Sequence, residues 1–172
     1  MIRCRTRCRA SAHRVQTKFS DVVSRGPAIM THTSRDSLRL VIPSEPKRIA
    51  EADEFVESAL RERGVPESLI SDLAIASTEM VNNAIIHGNK KDASKKVKIS
   101  MTFTADEVEI RVEDEGRGFN PDNVPDPLAE ENLLREVGRG IFIVRSLMDN
   151  MEYEQTDEGG MAVIMRKSFE SS

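Results

Sequence analysis

The chain has no tryptophan, one tyrosine and six phenylalanines among its 172 residues. A core without aromatic bulk must come from Ile, Val, Leu, Met and Ala, and this length suffices for one domain built that way. No apolar run approaches the roughly 18 residues that a membrane span needs, so a soluble protein with no membrane partner is expected. Cysteine is nearly missing too: Cys4 and Cys8 are the only two, both near the start. Two such residues make no disulfide framework, and no further zinc ligands stand beside them. A reducing compartment, the cytoplasm, is the expectation. No G-x-x-x-x-G-K-[ST] occurs, which argues against a P-loop enzyme.

The formal net charge is −4 but unevenly spread. Residues 1–36 carry eight Lys/Arg and two Asp, leaving 17 basic against 27 acidic side chains for the rest. An acidic body lacks the basic face of a nucleic-acid binder and suits a basic or neutral protein partner. The opening M-I-R-C-R-T-R-C-R-A-S-A-H-R is Arg-rich, a composition shared with transit peptides. It has no apolar stretch of the kind a secretory signal needs. A disordered basic tail, or a gene start set upstream of a true start at Met30, has the same composition. On that ground residues 1–36 are set apart from the fold.

Hydrophobic periodicity makes residues 37–168 one α/β (α+β) domain. Leu38–Ile42 alternates and stops at Pro43, which predicts an edge strand. Ser44 is the expected cap of a helix with Pro46 in its first turn, Ile49, Ala52, Phe55, Val56, Ala59 and Leu60 at helical spacing, and Gly64 at its end. Pro66 and Glu67 open a second helix, expected to run to His87 with Gly88 as its C-cap. Val97–Phe103 and Val108–Val112 alternate as two antiparallel strands, each with one buried face, joined at Ala105-Asp106. A proline-bearing loop follows, with Leu128–Arg135 as a candidate short helix. Ile141, Val144, Leu147 and Met148 then mark a third helix. Met151–Thr156, Gly159-Gly160 and Met161–Met165 close the chain as a hairpin. This order predicts a two-layer sandwich, with helices covering one face of a mixed, mainly antiparallel sheet.

Three motifs interrupt that pattern. The second helix carries E-M-V-N-N-A-I-I-H-G-N from Glu79 to Asn89. Glu79 and Asn83 share one helix face, with Asn82 and His87 near the same stripe. Burying such groups without partners costs a few kcal/mol, so the pair either satisfies itself or meets a polar ligand. D-E-G-R-G at Asp114–Gly118 follows a strand, and Gly138-Arg139-Gly140 precedes the third helix. Each of these two, alone, also fits a plain turn.

Together and in this order, E-x-x-x-N, D-x-G-x-G and G-x-G resemble the GHKL (Bergerat-fold) ATPase superfamily. E-M-V-N-N-A-I-I-H-G is most similar to the anti-sigma factor serine/threonine-protein kinases of bacterial stress and sporulation switches. The resemblance covers about residues 38–167 and implies a Bergerat ATP-binding fold taking ATP and Mg²⁺. It implies Glu79 as the general base that polarises the attacking hydroxyl. Asn83 could give Mg²⁺ one hard oxygen ligand, with phosphates and waters supplying the rest. Asp114 could accept a hydrogen bond from the adenine amine and reject guanine, which presents a carbonyl there. Gly116 and Gly118 would allow unusual backbone angles and close approach of a flat base. N–H groups at Gly138 and Gly140, with Arg139, would bind phosphate, and the loop between Phe119 and Val137 would be the ATP lid. Asn82 falls at a variable position of the pattern, and His87 is expected to pack structurally near the helix end.

The function so implied is a kinase that also acts as an anti-sigma factor. It would sequester a sigma factor and phosphorylate a Ser or Thr on an anti-anti-sigma antagonist of the STAS type. Relatives form homodimers. Two other readings stand beside it: a nucleotide-gated binding module without kinase activity, and a detached histidine-kinase catalytic domain. No phospho-accepting histidine domain precedes the fold, and Glu79 is not needed for binding alone; both weigh against the alternatives.

Overall fold

The computed structural model describes residues 29–34, 37–117 and 136–169. Its sheet has six strands in the order β1-β2-β3-β4-β6-β5. These are β1 (Ile29–Ser34), β2 (Ser37–Pro43), β3 (Lys96–Phe103), β4 (Glu107–Asp114), β5 (Asn150–Gln155) and β6 (Met161–Ser168). Every described pairing is antiparallel, so the parallel component of the expected mixed sheet is not found among these strands. The crossover that puts β6 beside β4 is made through the third helix and β5.

β1 lies inside the segment that the sequence reading set apart as a tail. Its I-M-T-H-T-S has no core pattern; backbone pairing places it, with Ile29 opposite Val41 and Thr31 opposite Arg39. β2 is therefore an interior strand, not the edge strand that Pro43 suggested. Pro43 is tolerated because the β1 pairing reaches only to Val41, so no strand asks for the missing N–H on that side.

Alternation sets the two layers. Leu40, Ile42, Val97, Ile99, Met101 and Ile110 point to the buried face. Against them pack α1 (Ile49–Glu62), α2 (Glu67–Asn83) and α3 (Glu136–Leu147). Each fully buried Ile, Leu or Met contributes roughly 1.5–3 kcal/mol, so aliphatic residues carry this core without tryptophan. The other face is laced by charge pairs along and across strands. Arg111 reaches Glu113 at 2.7 Å and also Glu154, and Arg166 reaches Glu109 at 2.8 Å and Glu152 at 3.1 Å. Such exposed pairs add at most about 1 kcal/mol each, but they keep this face polar.

Two helix ends differ from expectation. Ser44 does not cap α1: its N–H donates to the Lys95 carbonyl at 2.9 Å, extending the β2–β3 pairing. A 3-10 turn over Pro46–Arg48 then starts the helix. Gly64 ends α1 as predicted, with φ of 71°. At the end of α2, Ala84–Gly88 form a π-helical turn, with the Asn89 N–H donating to the Ala84 carbonyl five residues back at 2.8 Å. The C-cap predicted at Gly88 is not there. The chain leaves the helix through Lys90 and Lys91, both left-handed, with φ of 58° and 60°. A side chain in that region costs about 1 kcal/mol. Lys91→Gly is expected to raise stability by up to about that amount, read as a higher melting temperature. No helix among the described residues is long and apolar enough to cross a membrane.

Candidate functional site

α2 is the backbone of the site. Its inward side is closed by Met80, Val81, Ala84 and Ile85, all buried. Glu79 and Asn83, one turn apart, stand partly exposed along its flank. The structure brings α3 against them at Gly140: a Cβ built there would lie 2.5 Å from Glu79 Oε2 and 3.7 Å from Asn83 Nδ2. Gly140 is thus the position where the absence of a side chain lets the helix approach the polar stripe. Gly138–Gly140 lie within α3, whose described residues begin at Glu136, and not ahead of it as expected. Gly118 and the lid region 118–135, with the short helix expected at Leu128–Arg135, lie outside the described residues.

Gly140→Ala tests this contact. The nearest obstructing atom is the end of a flexible side chain, so the fold should lose less than about 1 kcal/mol. The Glu79 carboxylate must move, however, and misplacing the general base that the motif resemblance expects there by about 1 Å would cost up to 10²-fold in rate. Expected is a large drop in turnover with nucleotide binding and melting temperature close to wild type.

Asp114 ends β4 and is enclosed by glycines. A Cβ on Gly88 would stand 2.5 Å from both Asp114 Cγ and Oδ2, and one on Gly116 would stand 2.5 Å from the Gly88 carbonyl oxygen and 2.7 Å from Asp114 Oδ1. A Cβ on Gly160 would overlap the Asp114 carbonyl oxygen. Gly116 does not adopt positive φ, so close approach, and not the unusual backbone angle expected, is what requires it. The Gly116 N–H donates to Asp114 Oδ1 at 2.7 Å, and the Met161 N–H also donates to this carboxylate. Burial pushes the Asp114 carboxyl above the usual range, opposed by those two N–H donors and by the charge of Lys95.

Sequence reasoning missed three participants: Gly88, Asn89 and Gly160. Gly88 looked like a helix cap, and Gly160 like half of a turn. Asn89 is 1 % exposed and bridges two strand ends; an Asn after a Gly at the end of an apolar helix was the available signal. His87 is exposed and does not pack as expected. Partial burial and the charge of Lys90 hold its imidazole below its ordinary pKa. Asn82 is partly exposed beside the stripe.

Two clusters result. Glu79, Asn83 and Gly140 gather at one level of α2; Gly88, Asp114, Gly116 and Gly160 gather at its far end. Nine residues separate Glu79 from Gly88, roughly 13 Å at the α-helical rise and somewhat less through the π turn. Among the described residues no three His, Cys, Asp or Glu side chains converge to hold a metal by themselves. Asn83 offers one hard oxygen, which fits Mg²⁺ only where phosphate oxygens complete its shell.

A family described as the histidine kinase-like ATPase domain matches residues 42–167. The chain is similar to the anti-sigma F factor of Clostridium perfringens, with 35% identity over 102 residues, covering 58% of this chain and 73% of that protein. It is also similar to the serine-protein kinase RsbW of Oceanobacillus iheyensis, with 25% identity over 77% of this chain and 86% of the relative. The RsbW of Listeria monocytogenes is 23% identical over 78% of this chain and 88% of its own length.

Proposed function

Because the chain belongs to the histidine kinase-like ATPase family, and within it groups with the anti-sigma factor kinases, we propose that it is an ATP-dependent serine/threonine kinase acting in the cytoplasm. It binds a sigma factor and transfers phosphate to a Ser or Thr of an anti-anti-sigma antagonist of the STAS type. Phosphorylation releases the antagonist and leaves the kinase free to hold sigma, with a homodimer as the working unit.

The observation that carries the reading is the pair of clusters along one helix: Glu79 with Asn83 on the helix itself, and at its far end the glycine-enclosed Asp114 of β4. Asp114 accepts a hydrogen bond from the 6-amino group of adenine, and Gly116 lets the ring approach. Backbone N–H groups in the first turns of α3, with Arg139, hold phosphate oxygens. Glu79 polarises the acceptor hydroxyl and takes its proton as the oxygen attacks the γ-phosphorus, while ADP leaves. Mg²⁺, held by Asn83 and the triphosphate, would neutralise charge that builds on the phosphate oxygens.

The test is to mix the protein, Mg-ATP and the antagonist encoded beside it. Acid-stable phosphate on a Ser or Thr of the antagonist is expected. ATP binding without transfer would make the protein a nucleotide-gated binder, and acid-labile phosphate on histidine would make it a histidine kinase domain.

A further inference from the structure

Asn89 is the most deeply buried polar side chain at the junction of α2 with the sheet. Its Nδ2 donates to the Lys96 carbonyl at 2.9 Å, and its Oδ1 accepts from the Glu115 N–H at 2.8 Å. A carbonyl partner needs a donor and an N–H partner needs an acceptor, so the amide has one workable orientation. The Asn89 N–H meanwhile closes the π-helical turn on Ala84. One side chain thus ties the end of α2 to the first residue of β3 and to the residue directly after Asp114. A second tie exists, from the Lys96 N–H to Glu115 Oε2 at 2.9 Å, but it is exposed and water competes for it. The neighbouring Gly88 abuts the Asp114 carboxylate and gives it no room to shift that way.

We propose that Asn89 is a positioning residue for base recognition: its buried amide fixes the Asp114–Gly116 loop against the end of α2 and so aims the carboxylate that reads the purine 6-amino group. Glu115 and Gly116 follow Asp114 with no regular structure of their own, so their N–H groups, together with the Met161 N–H that donates to the carboxylate, set where it stands. Gly116 binds Asp114 itself, and the ladder with Val97 and the Met161 N–H hold Asp114 to the sheet; the Glu115 N–H anchors the turn beyond it to the end of α2. Without it, the loop can rock about the end of β4 and Asp114 loses its aim, although the core beneath stays packed. The inference rests on the reading of Asp114 as the acceptor for the adenine amine.

Purine riboside 5′-triphosphate, which differs from ATP only in lacking the 6-amino group, isolates this contact. Affinities of both nucleotides are measured with Mg²⁺ at a temperature where circular dichroism shows each variant folded. Wild type should prefer ATP by roughly tenfold or more, the value of a hydrogen bond to a charged group. Asn89→Ala should bring the two affinities to within about twofold. Asn89→Asp, which keeps an acceptor for the Glu115 N–H, should retain most of the preference. If Asn89→Ala is not folded at any working temperature, Asn89→Ser, too short to span both partners, replaces it with the same expected result. A variant that melts lower yet keeps the wild-type preference would overturn the proposal, because Asn89 would then only hold the fold. A wild type with no preference would instead overturn the role of Asp114, a separate failure read from the unmutated protein.

Discussion

Glu79→Gln should leave ATP binding intact and cut phosphoryl transfer to the antagonist by about 10²–10⁴-fold, the usual contribution of a positioned general base. The amide keeps the shape and length of the side chain beside Gly140, so α3 need not move. Glu79 is partly exposed, so its replacement strands no buried charge and the melting temperature should stay within a few degrees. With Mg-ATP at 100 times its dissociation constant, the variant should still gain the roughly 2.7 kcal/mol of stabilisation that mass action provides. Phosphate incorporation and melting with and without nucleotide, on one preparation, separate the two effects. Transfer at wild-type rate by Glu79→Gln would remove Glu79 from the chemistry.

Asp114→Asn should do the reverse: little change in the nucleotide-free protein, and loss of most of the ATP-dependent rise in melting temperature. The sign follows from the raised carboxyl of Asp114, caused first by burial. A carboxyl whose folded value lies above its unfolded one favours the fold most when protonated. That favour is lost as pH rises through the folded value. At neutral pH the ionised Asp114 is therefore a cost to the empty protein; an amide escapes it but offers one acceptor oxygen in place of two to the Gly116 and Met161 N–H groups, and the two effects offset. Binding follows the opposite course, since only the carboxylate accepts from the adenine amine in full strength. ATP affinity should fall on acidification, starting at a higher pH than for an ordinary exposed aspartate, while the affinity of Asp114→Asn stays weak and flat. A wild-type affinity unchanged down to the ordinary carboxylate range would contradict this.

What could be read from the sequence was what repeats. Alternation in Val97–Phe103 and Val108–Val112, and the helical spacing through Phe55 and Met80, gave the sandwich, because burial of one face imposes those periods. The order of three short motifs gave the candidate site. β1 was illegible: its polar I-M-T-H-T-S is held by main-chain pairing, which leaves no trace in side-chain pattern. Ser44 was misread because the helix entry falls one residue later, at Glu45, while the Ser44 N–H continues the sheet to Lys95, 51 residues away in sequence. Gly88 and Gly160 were read locally, as a cap and a turn, whereas both are glycine because Asp114 lies against them. Asn89 belongs to the same class: its partners, Lys96 and Glu115, meet it only once the sheet is formed.

The π-helical turn at Ala84–Gly88 bears on how genes of this kind can change length. A π turn takes up more chain than an α turn, so the angular phase between Glu79 and Gly88 differs from that of a regular helix. Losing one residue there would close the i→i−5 turn into a regular α turn; adding another would swing one end about 100° around the axis relative to the other. Either the carboxylate would leave Gly140 or Gly88 would leave Asp114. An extra residue inserted in this stretch should therefore disable the site, whereas a substitution at a solvent-facing position should not.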